Sequence, residues 1–205
     1  MIEAFEKRTD IHRYTASLIF NCSQDTVTEV QRSQAKTVNF GIIYGISPYG
    51  LSKELNIAPE EAKAFIDAYF VKYKKVKKYI DYLLDFARKN NYVVTMLDRR
   101  RYIPEINSEN QNIRQFAERT AINTPIQGSA ADLIKIAMIE IYKEMKRRHL
   151  KSKMILQVHD ELIFDVFDKD EKQLKDMVKT KMENVVKLKV PIEVTMKTGK
   201  NWAEC

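Results

Sequence analysis

Cysteine is scarce in this chain, and a long apolar run and the apolar segment of a signal peptide are both missing. The two cysteines, Cys22 and Cys205, are too few for a disulfide framework or a cysteine-based zinc site. No run of roughly 18 or more apolar residues could span a membrane, and the first residues lack the apolar segment of a signal peptide. We therefore expect a reduced, cytoplasmic protein.

Internal repeats and low-complexity linkers are also absent from the 205 residues. Apolar residues make up 44% of the chain and charged residues 31%, which is typical of a soluble globular protein. The length is sufficient for one substantial core, or for two lobes that share one.

Acidic residues do not balance the basic ones, so the net charge is +7. The excess is concentrated between Phe70 and Arg101, where there are ten Lys or Arg against three Asp. A concentrated basic segment indicates a polyanionic partner. A solvated helix face would explain the same charges equally well.

Two short runs of alternating apolar residues, Met154–Val158 and Leu162–Val166, flank His159-Asp160-Glu161. The period of two predicts a hairpin of half-buried strands, with one buried face on each. The residues predicted to share these faces are Met154, Leu156 and Val158 on the first strand, and Leu162, Phe164 and Val166 on the second. Two carboxylates at the tip could meet a cation, although a solvated polar turn is the commoner explanation.

A predicted helix over Glu29–Tyr44 carries Arg32, Lys36, Phe40 and Tyr44 at intervals of four residues. This spacing places all four on one slowly winding face. The cations suit phosphate oxygens, and the rings offer flat surfaces to a base or sugar.

The other explanation of this helix is an amphipathic one, in which both rings pack into a core and the cations contact water. Gly41 and Gly45 weaken that explanation. Glycine costs roughly 1 kcal/mol inside a helix, and a helix that keeps it usually lets something approach closely.

The remaining patterns predict an α+β fold in which helices dominate. Ser23 or Asp25 is expected to cap the helix at Glu29. Helices are predicted around Asp10–Phe20 within residues 1–24, at Leu51–Asn56 after a turn at Ser47–Gly50, from Pro59 to about Asn90, at Ser108–Arg119, at Ala130–Arg148 after a break at Asn123–Gly128, and at Glu171–Val186. Further strands are predicted in a hairpin over Val93–Ile103, with Arg99–Arg101 at its tip, and at Ile192–Lys197. Together these elements predict a helical lobe inserted into a small antiparallel-sheet platform.

Several stretches form an ordered series of motifs. They are Arg32-x-x-x-Lys36-x-x-x-Phe40-Gly-x-x-Tyr44-Gly45, Arg100–Ser108, Ala117–Asn123, Pro125–Asp132 and Val158-His-Asp-Glu-Leu162, with Asp10-Ile-His12 and Gly199-Lys-Asn-Trp202 near the two ends. Together they resemble the C-terminal part of a family A DNA polymerase of the bacterial DNA polymerase I type. The five main motifs are similar to its fingers helix, its fingers hairpin, the two stretches that return into the palm, and its second catalytic carboxylate motif. The resemblance implies palm residues at 1–24, fingers at 25–118, and an incomplete palm at 119–205 with the catalytic hairpin at 154–166.

The resemblance implies template-directed DNA synthesis, in which a deoxynucleotide passes from a dNTP to a primer 3′-end with the help of two Mg²⁺ ions. It implies that Asp160 is a metal ligand, that Glu161 is a weaker catalytic contributor, and that Lys36 donates a proton to pyrophosphate. The implied dNTP-binding residues are His12, Arg32, Lys36, Phe40 and Tyr44. The implied DNA-binding residues are Arg119, Asn123, Gln127 and His159.

The chain departs from the family pattern in two places. Asp98 occupies a hairpin position where the family usually has glycine, and Asp tolerates a left-handed turn. More seriously, the family's first catalytic motif, a strand with Asp-Tyr-Ser followed by Glu, has no counterpart in the sequence. We therefore expect the chain to need a missing N-terminal polymerase part, comprising the thumb and the first palm motif, and to be inactive alone.

Two other functions remain open at this point. A non-catalytic DNA- or dNTP-binding fragment would keep the fingers residues without turnover. A two-metal nuclease built on Asp160 and Glu161 is less well supported, because such sites usually assemble more carboxylates than the motifs bring together.

Overall fold

Residues 2–204 are described by a computed structural model in which helices dominate and the strands form two separate hairpins. The helices are α1 (Ile2–Glu6), α2 (Ile11–Ile19), α3 (Glu29–Ile43), α4 (Pro48–Leu55), α5 (Pro59–Lys72), α6 (Lys74–Asn90), α7 (Gln111–Arg147) and α8 (Glu171–Glu183). The strands are β1 (Tyr92–Val94), β2 (Arg100–Tyr102), β3 (Lys153–Val158) and β4 (Glu161–Asp165). The α+β prediction is confirmed. Within residues 2–204, no helix is long and apolar enough to cross a membrane.

The chain divides into two compact units, Met1–Ser129 and Ala130–Cys205. The first unit has its main core where α3, α4 and α5 meet. The buried side chains of this core are Val38, Ile42, Leu51, Ala62, Ile66, Tyr69 and Tyr73. A second cluster joins α6 and the β1–β2 hairpin to the start of α7 through Ala87, Val93, Ile103, Ile106, Ala117 and Ala121.

Helix α3 begins directly after Thr28, which forms a reciprocal cap with Gln31. Thr28 Oγ1 accepts the Gln31 N–H at 3.2 Å, and Gln31 Oε1 accepts the Thr28 N–H at 3.0 Å, so two donors at the helix start are satisfied. The predicted caps Ser23 and Asp25 were therefore wrong for this helix. Ser23 instead caps the short 3-10 turn Gln24–Thr26.

Two helix boundaries also differ from the prediction. The single long helix expected from Pro59 breaks at Tyr73, whose ring is buried and whose hydroxyl lies 3.1 Å from Thr15 Oγ1. The predicted turn Ser47–Gly50 belongs instead to the start of α4, because the Ser47 side chain accepts a backbone N–H from its first turn. Tertiary contact decides the first case and local capping the second.

The break predicted near Pro125 is absent, because α7 continues through it from Gln111 to Arg147. Proline lacks the N–H that would donate to the Ala121 carbonyl and commonly kinks or breaks a helix, but here the helix is retained around it. The Ser129 hydroxyl donates to the Pro125 carbonyl. The predicted strand Ile192–Lys197 is also absent, since no other strand pairs with it among residues 2–204. The Val194 N–H donates instead to Glu183 Oε1 at 3.2 Å.

The second unit packs the later turns of α7 against α8 and the β3–β4 hairpin. Its buried side chains are Ala137, Ile141, Met145, Leu174, Met177 and Val178, against which Leu162, Phe164 and Val166 pack. The predicted buried face of the second strand is thus confirmed.

The predicted face of the first strand was only partly right. The register shifts from Met154 opposite Phe164 to Leu156 opposite Ile163, so Ile155 is an extra residue in β3. Such a bulge reverses the alternation beyond it. Ile155 and Leu156 are consequently both about half exposed, at 52% and 48%.

Truncating the core of the second unit should be costly. We expect Ile141→Ala, at a fully buried side chain, to lower the free energy of unfolding by about 2 to 5 kcal/mol. Ile139→Ala is the matched control, because Ile139 lies on the same helix but is 54% exposed, and it should change stability by less than about 0.5 kcal/mol. Urea denaturation followed by circular dichroism measures both, and equal losses would contradict the packing described.

Candidate functional site

The face of α3 that carries the predicted site residues is exposed. Phe40 is 44% exposed and Tyr44 45%, while Val38 and Ile42 occupy the buried side of the same helix. The explanation in which both rings pack into a core was therefore wrong. Lys36 is exposed too, and no carboxylate lies within ion-pair distance of it among residues 2–204.

An open groove of about 690 Å³ runs along this face. Lys36, Phe40, Tyr44 and Arg119 all line it. Three predicted dNTP-binding residues thus share a groove with one predicted DNA-binding residue, although Arg119 lies 75 positions further along the chain than Tyr44.

Gly45 explains how Arg119 comes so close to the end of α3. Its φ of +69° lies in the left-handed region, and a Cβ there would be 3.0 Å from Arg119 Cγ. Gly41 makes a similarly close contact with Ile46, since its Cβ would be 2.7 Å from Ile46 Cγ2. The close approaches that the two glycines predicted are therefore made by the chain itself.

Asp10 ties the starts of α2 and α3 together. Its Oδ1 caps α2 by accepting the N–H groups of His12 at 2.9 Å and Arg13 at 3.0 Å. Its Oδ2 accepts Nε–H of Arg32 at 2.7 Å. Burial raises the pKa of Asp10, but the hydrogen bonds from Arg13, Arg32 and His12 outweigh it, and the net pKa is lowered.

The pKa of His12 is lowered in its place beside the two cations of the face. Burial lowers the pKa of its imidazole; Asp10 opposes this by raising the pKa, whereas Arg32 and Lys36 lower it. The Asn39 amide nitrogen lies 3.1 Å from His12 Nδ1. Because an amide N–H can only donate, Nδ1 accepts and the proton of neutral His12 is on Nε2. The imidazole also lies 5.6 Å from the Phe40 ring, centroid to centroid.

Two other predicted DNA-binding residues lie one turn apart on α7. The Asn123 amide donates to Gln127 Oε1 at 3.0 Å. Gln127 is exposed and Asn123 is half-buried, with its Oδ1 shielded from solvent and without a partner among residues 2–204. Leaving a buried acceptor unsatisfied in this way costs free energy.

The second unit carries His159, Asp160 and Glu161 at the tip of the β3–β4 hairpin. Val158 pairs with Glu161, so His159 and Asp160 form a two-residue turn. His159 takes a left-handed conformation at φ +54°, and the Gln157 amide donates to its carbonyl at 3.0 Å. Asp160 and Glu161 are exposed.

Hard carboxylate oxygens of this kind suit Mg²⁺. No group of three or more His, Cys, Asp or Glu in residues 2–204 is arranged to hold a metal ion, however. The hairpin tip therefore presents two exposed carboxylates that belong to no such group among residues 2–204.

The structure assembles His12, Arg32, Lys36, Phe40, Tyr44 and Arg119 within the first unit, and His159, Asp160 and Glu161 within the second. Sequence reasoning missed the positioning roles of Asp10 and Asn39. An Asp two residues before His12 is a recognisable helix-capping signal and could have identified the first. The contact between Asn39 and His12 spans 27 residues and left no local signal.

Comparison with known proteins shows which family the sequence matches. The model of DNA polymerase family A matches residues 1–204. DNA polymerase I of Caldicellulosiruptor bescii is 51% identical over 204 residues, which cover 100% of this chain and 24% of that protein. DNA polymerase I of Bacillus subtilis is 50% identical over 202 residues, which cover 98% of this chain and 23% of that protein. The chain thus spans about a quarter of the length of the curated relatives it matches.

A solved structure matches as well. It is the POL domain of Pol1 from M. smegmatis in complex with DNA primer-template and dNTP. The TM-score is 0.90 at 44% sequence identity, with 95% of this chain and 34% of that chain covered.

Two substitutions at Asp10 separate the helix-capping role of its side chain from the role of its charge. We expect Asp10→Ala to lower the free energy of unfolding by about 1 kcal/mol or more, because the α2 cap is lost. Asp10→Asn should lose less, because an amide oxygen still caps the helix. Asp25→Asn, at an exposed Asp outside the α2 cap, is the control and should have no effect in urea denaturation.

The pH dependence of these variants has a defined sign. Because the pKa of Asp10 is lowered on folding, its stabilisation is complete above the unfolded pKa near 4 and is lost as the pH falls through the folded pKa. The difference between wild type and Asp10→Asn should therefore shrink below about pH 4. A difference that grows in acid would contradict the assigned pairing.

Proposed function

Because the chain belongs to DNA polymerase family A, we propose that it contributes to template-directed DNA synthesis, the transfer of a deoxynucleotide from a dNTP to a primer 3′-end. In this proposal residues 25–118 are the fingers, and residues 1–24 and 119–205 are parts of the palm. The chain acts together with an N-terminal polymerase part that supplies the thumb and the first palm motif. The observation that carries the proposal is the α3 groove, in which exposed cations and exposed rings lie side by side.

Lys36 of the groove, together with Arg32 and His12 outside its lining, is suited to the triphosphate of an incoming dNTP. Lys36 has no carboxylate within ion-pair distance among residues 2–204, although Glu54 lines the same groove. Arg32 uses Nε for Asp10, which leaves its two terminal nitrogens for phosphate oxygens. Neutral His12 offers an N–H at Nε2. Charge-assisted hydrogen bonds of this kind are the strong ones, and Lys36 is the group proposed to donate a proton to the departing pyrophosphate.

The rings and amides serve the rest of the substrates. Phe40 and Tyr44 present exposed faces, on which the sugar and base of the nucleotide and the templating base can pack. Arg119, Asn123, Gln127 and His159 are proposed to contact primer–template DNA. Minor-groove acceptors lie in similar places in every correct base pair, so such contacts test the geometry of a pair without reading its sequence.

Asp160 is the proposed Mg²⁺ ligand, with Glu161 as a weaker neighbour. When bound, Mg²⁺ ions would stabilise the charge on the attacking and leaving oxygens. The carboxylates of this chain can hold such ions only in part, because residues 2–204 contain no cluster of three or more ligands. The remaining ligand is therefore assigned to the N-terminal polymerase part.

The same observation favours a second candidate, a DNA- and dNTP-binding chain without turnover. It differs from the first candidate only in whether another carboxylate completes the metal site at Asp160. Binding and catalysis are therefore tested separately.

Binding tests the groove. We expect Lys36→Ala to weaken dNTP binding by the 205-residue chain about tenfold, the value of one charge-assisted hydrogen bond. Lys63→Ala removes an exposed lysine of α5 and should leave the affinity unchanged. Equilibrium dialysis with labelled dNTP measures both affinities. Equal losses of affinity in the two variants would show that the effect comes from net charge alone.

Catalysis tests the hairpin. We expect no primer extension by the 205 residues alone, and extension when the N-terminal polymerase part of a relative is supplied. Asp160→Asn should then abolish extension, because the loss of one member of an interdependent catalytic site removes nearly all of the rate. Asp165→Asn, at an exposed carboxylate of the same hairpin, should preserve it. Extension by the isolated chain that Asp160→Asn abolishes would overturn the proposed need for a partner.

A further inference from the structure

A row of five aromatic rings runs along α6 and onto the β1–β2 hairpin. Successive centroids lie 6.4 Å apart for Tyr79 and Tyr82, 6.0 Å for Tyr82 and Phe86, 5.5 Å for Phe86 and Tyr92, and 5.8 Å for Tyr92 and Tyr102. We call these five residues the aromatic row. None of them lines the α3 groove.

The aromatic row is more exposed than a structural contact requires. Phe86 and Tyr92 meet edge to face and are half-buried, which is sufficient to hold the hairpin against α6. Tyr79, Tyr82 and Tyr102, in contrast, are 47%, 58% and 68% exposed. Tyr69 and Tyr73, which pack in the main core, are only 2% and 8% exposed.

The surroundings of the row are positively charged. Lys74, Lys75, Lys78 and Lys89 lie on α6, and none of them has a carboxylate within ion-pair distance among residues 2–204. The two acidic residues of the helix are already engaged, Asp81 by Lys77 and Asp85 by Arg88. On the hairpin, the Arg100 guanidinium lies 4.9 Å from the centroid of the Tyr92 ring.

A shallow cavity of about 700 Å³ lies beside the row. Tyr82 and Phe86 line it together with Lys78 and Lys89. Asp81 and Asp85 line it too, but they are paired with Lys77 and Arg88. A planar group that entered the cavity would contact a ring and a cation together.

We propose that the aromatic row binds single-stranded nucleic acid. Unpaired bases stack on Tyr79, Tyr82 and Tyr102, and the lysines of α6 contact the phosphates. Exposed rings between cations suit an unpaired strand, because every base has a face that can stack. A duplex keeps its base faces covered and would use only the cations. This activity requires neither nucleotide transfer nor the α3 groove.

Paired variants separate stacking from charge. The 205-residue chain is titrated with an oligothymidylate of about twelve nucleotides and with a blunt duplex of the same length. We expect Tyr82→Leu to weaken single-strand binding about fivefold or more, and the double variant Tyr82→Leu, Tyr102→Leu to weaken it further. Duplex binding should not change. The matching Tyr→Phe variants keep the ring and should bind as wild type does.

Two controls complete the experiment. Tyr142→Leu removes a tyrosine of the second unit that is 54% exposed and has the Lys146 ammonium 5.5 Å from its ring centroid; it should have no effect. Lys78→Gln should reduce the dependence of affinity on salt, whereas the Leu variants should leave that slope unchanged. Tyr79→Leu provides a second ring removal if the double variant unfolds.

The proposal is overturned by unchanged single-strand affinity in the Leu variants, by equal losses on single strand and duplex, or by Phe variants as weak as the Leu variants. Concentration-dependent dimerisation of wild type that the Leu variants abolish would overturn it too, because the rings would then be a contact between copies of the chain. Loss of triphosphate binding in Lys36→Ala is independent of all these outcomes.

Discussion

The first unit depends on the burial of one side of α3. Val38 and Ile42 lie one turn apart in the main core, against Leu51 and the aromatic side chains of α5. A helix rotates by about 100° per residue, so a residue two positions further on lies about 200° away. Burial of Val38 and Ile42 therefore fixes the outward position of Phe40 and Tyr44. The exposure of the rings follows from the packing beneath them.

Side-chain hydrogen bonds then fix Arg32 and the imidazole of His12 on this face. Asp10 uses one oxygen to start α2 and the other to hold Arg32, so the position of His12 and that of Arg32 depend on the same carboxylate. Asn39 sets the tautomer of His12 from the buried side of α3. The arrangement is set before any ligand arrives, which reduces the ordering that binding would require.

Sequence reasoning predicted what local periodicity determines. The shared face of Arg32 and Tyr44 follows from spacing alone, and so do the paired strands beside Asp160. The left-handed turn at Asp98, where φ is +60°, was expected instead from the family resemblance and from the tolerance of Asp for that conformation. The break at Tyr73 could not be predicted, because its residues favour a helix and the deciding contact, with Thr15, is 58 residues away. The strand expected at Ile192–Lys197 failed for a related reason, since alternation creates a strand only where another strand offers hydrogen bonds. The approach of Arg119 to Gly45 likewise depends on tertiary packing.

The bulge in β3 has a consequence for handling the protein. Ile155 and Leu156 are consecutive and both about half exposed, and β3 pairs with β4 alone among the described strands. Its other edge therefore presents unpaired backbone groups beside two adjacent apolar side chains. Natural sheets avoid such edges because they add strands from other molecules and aggregate. This strand is thus a site at which copies of the chain are expected to aggregate, and a charged substitution at Ile155 is expected to reduce that tendency.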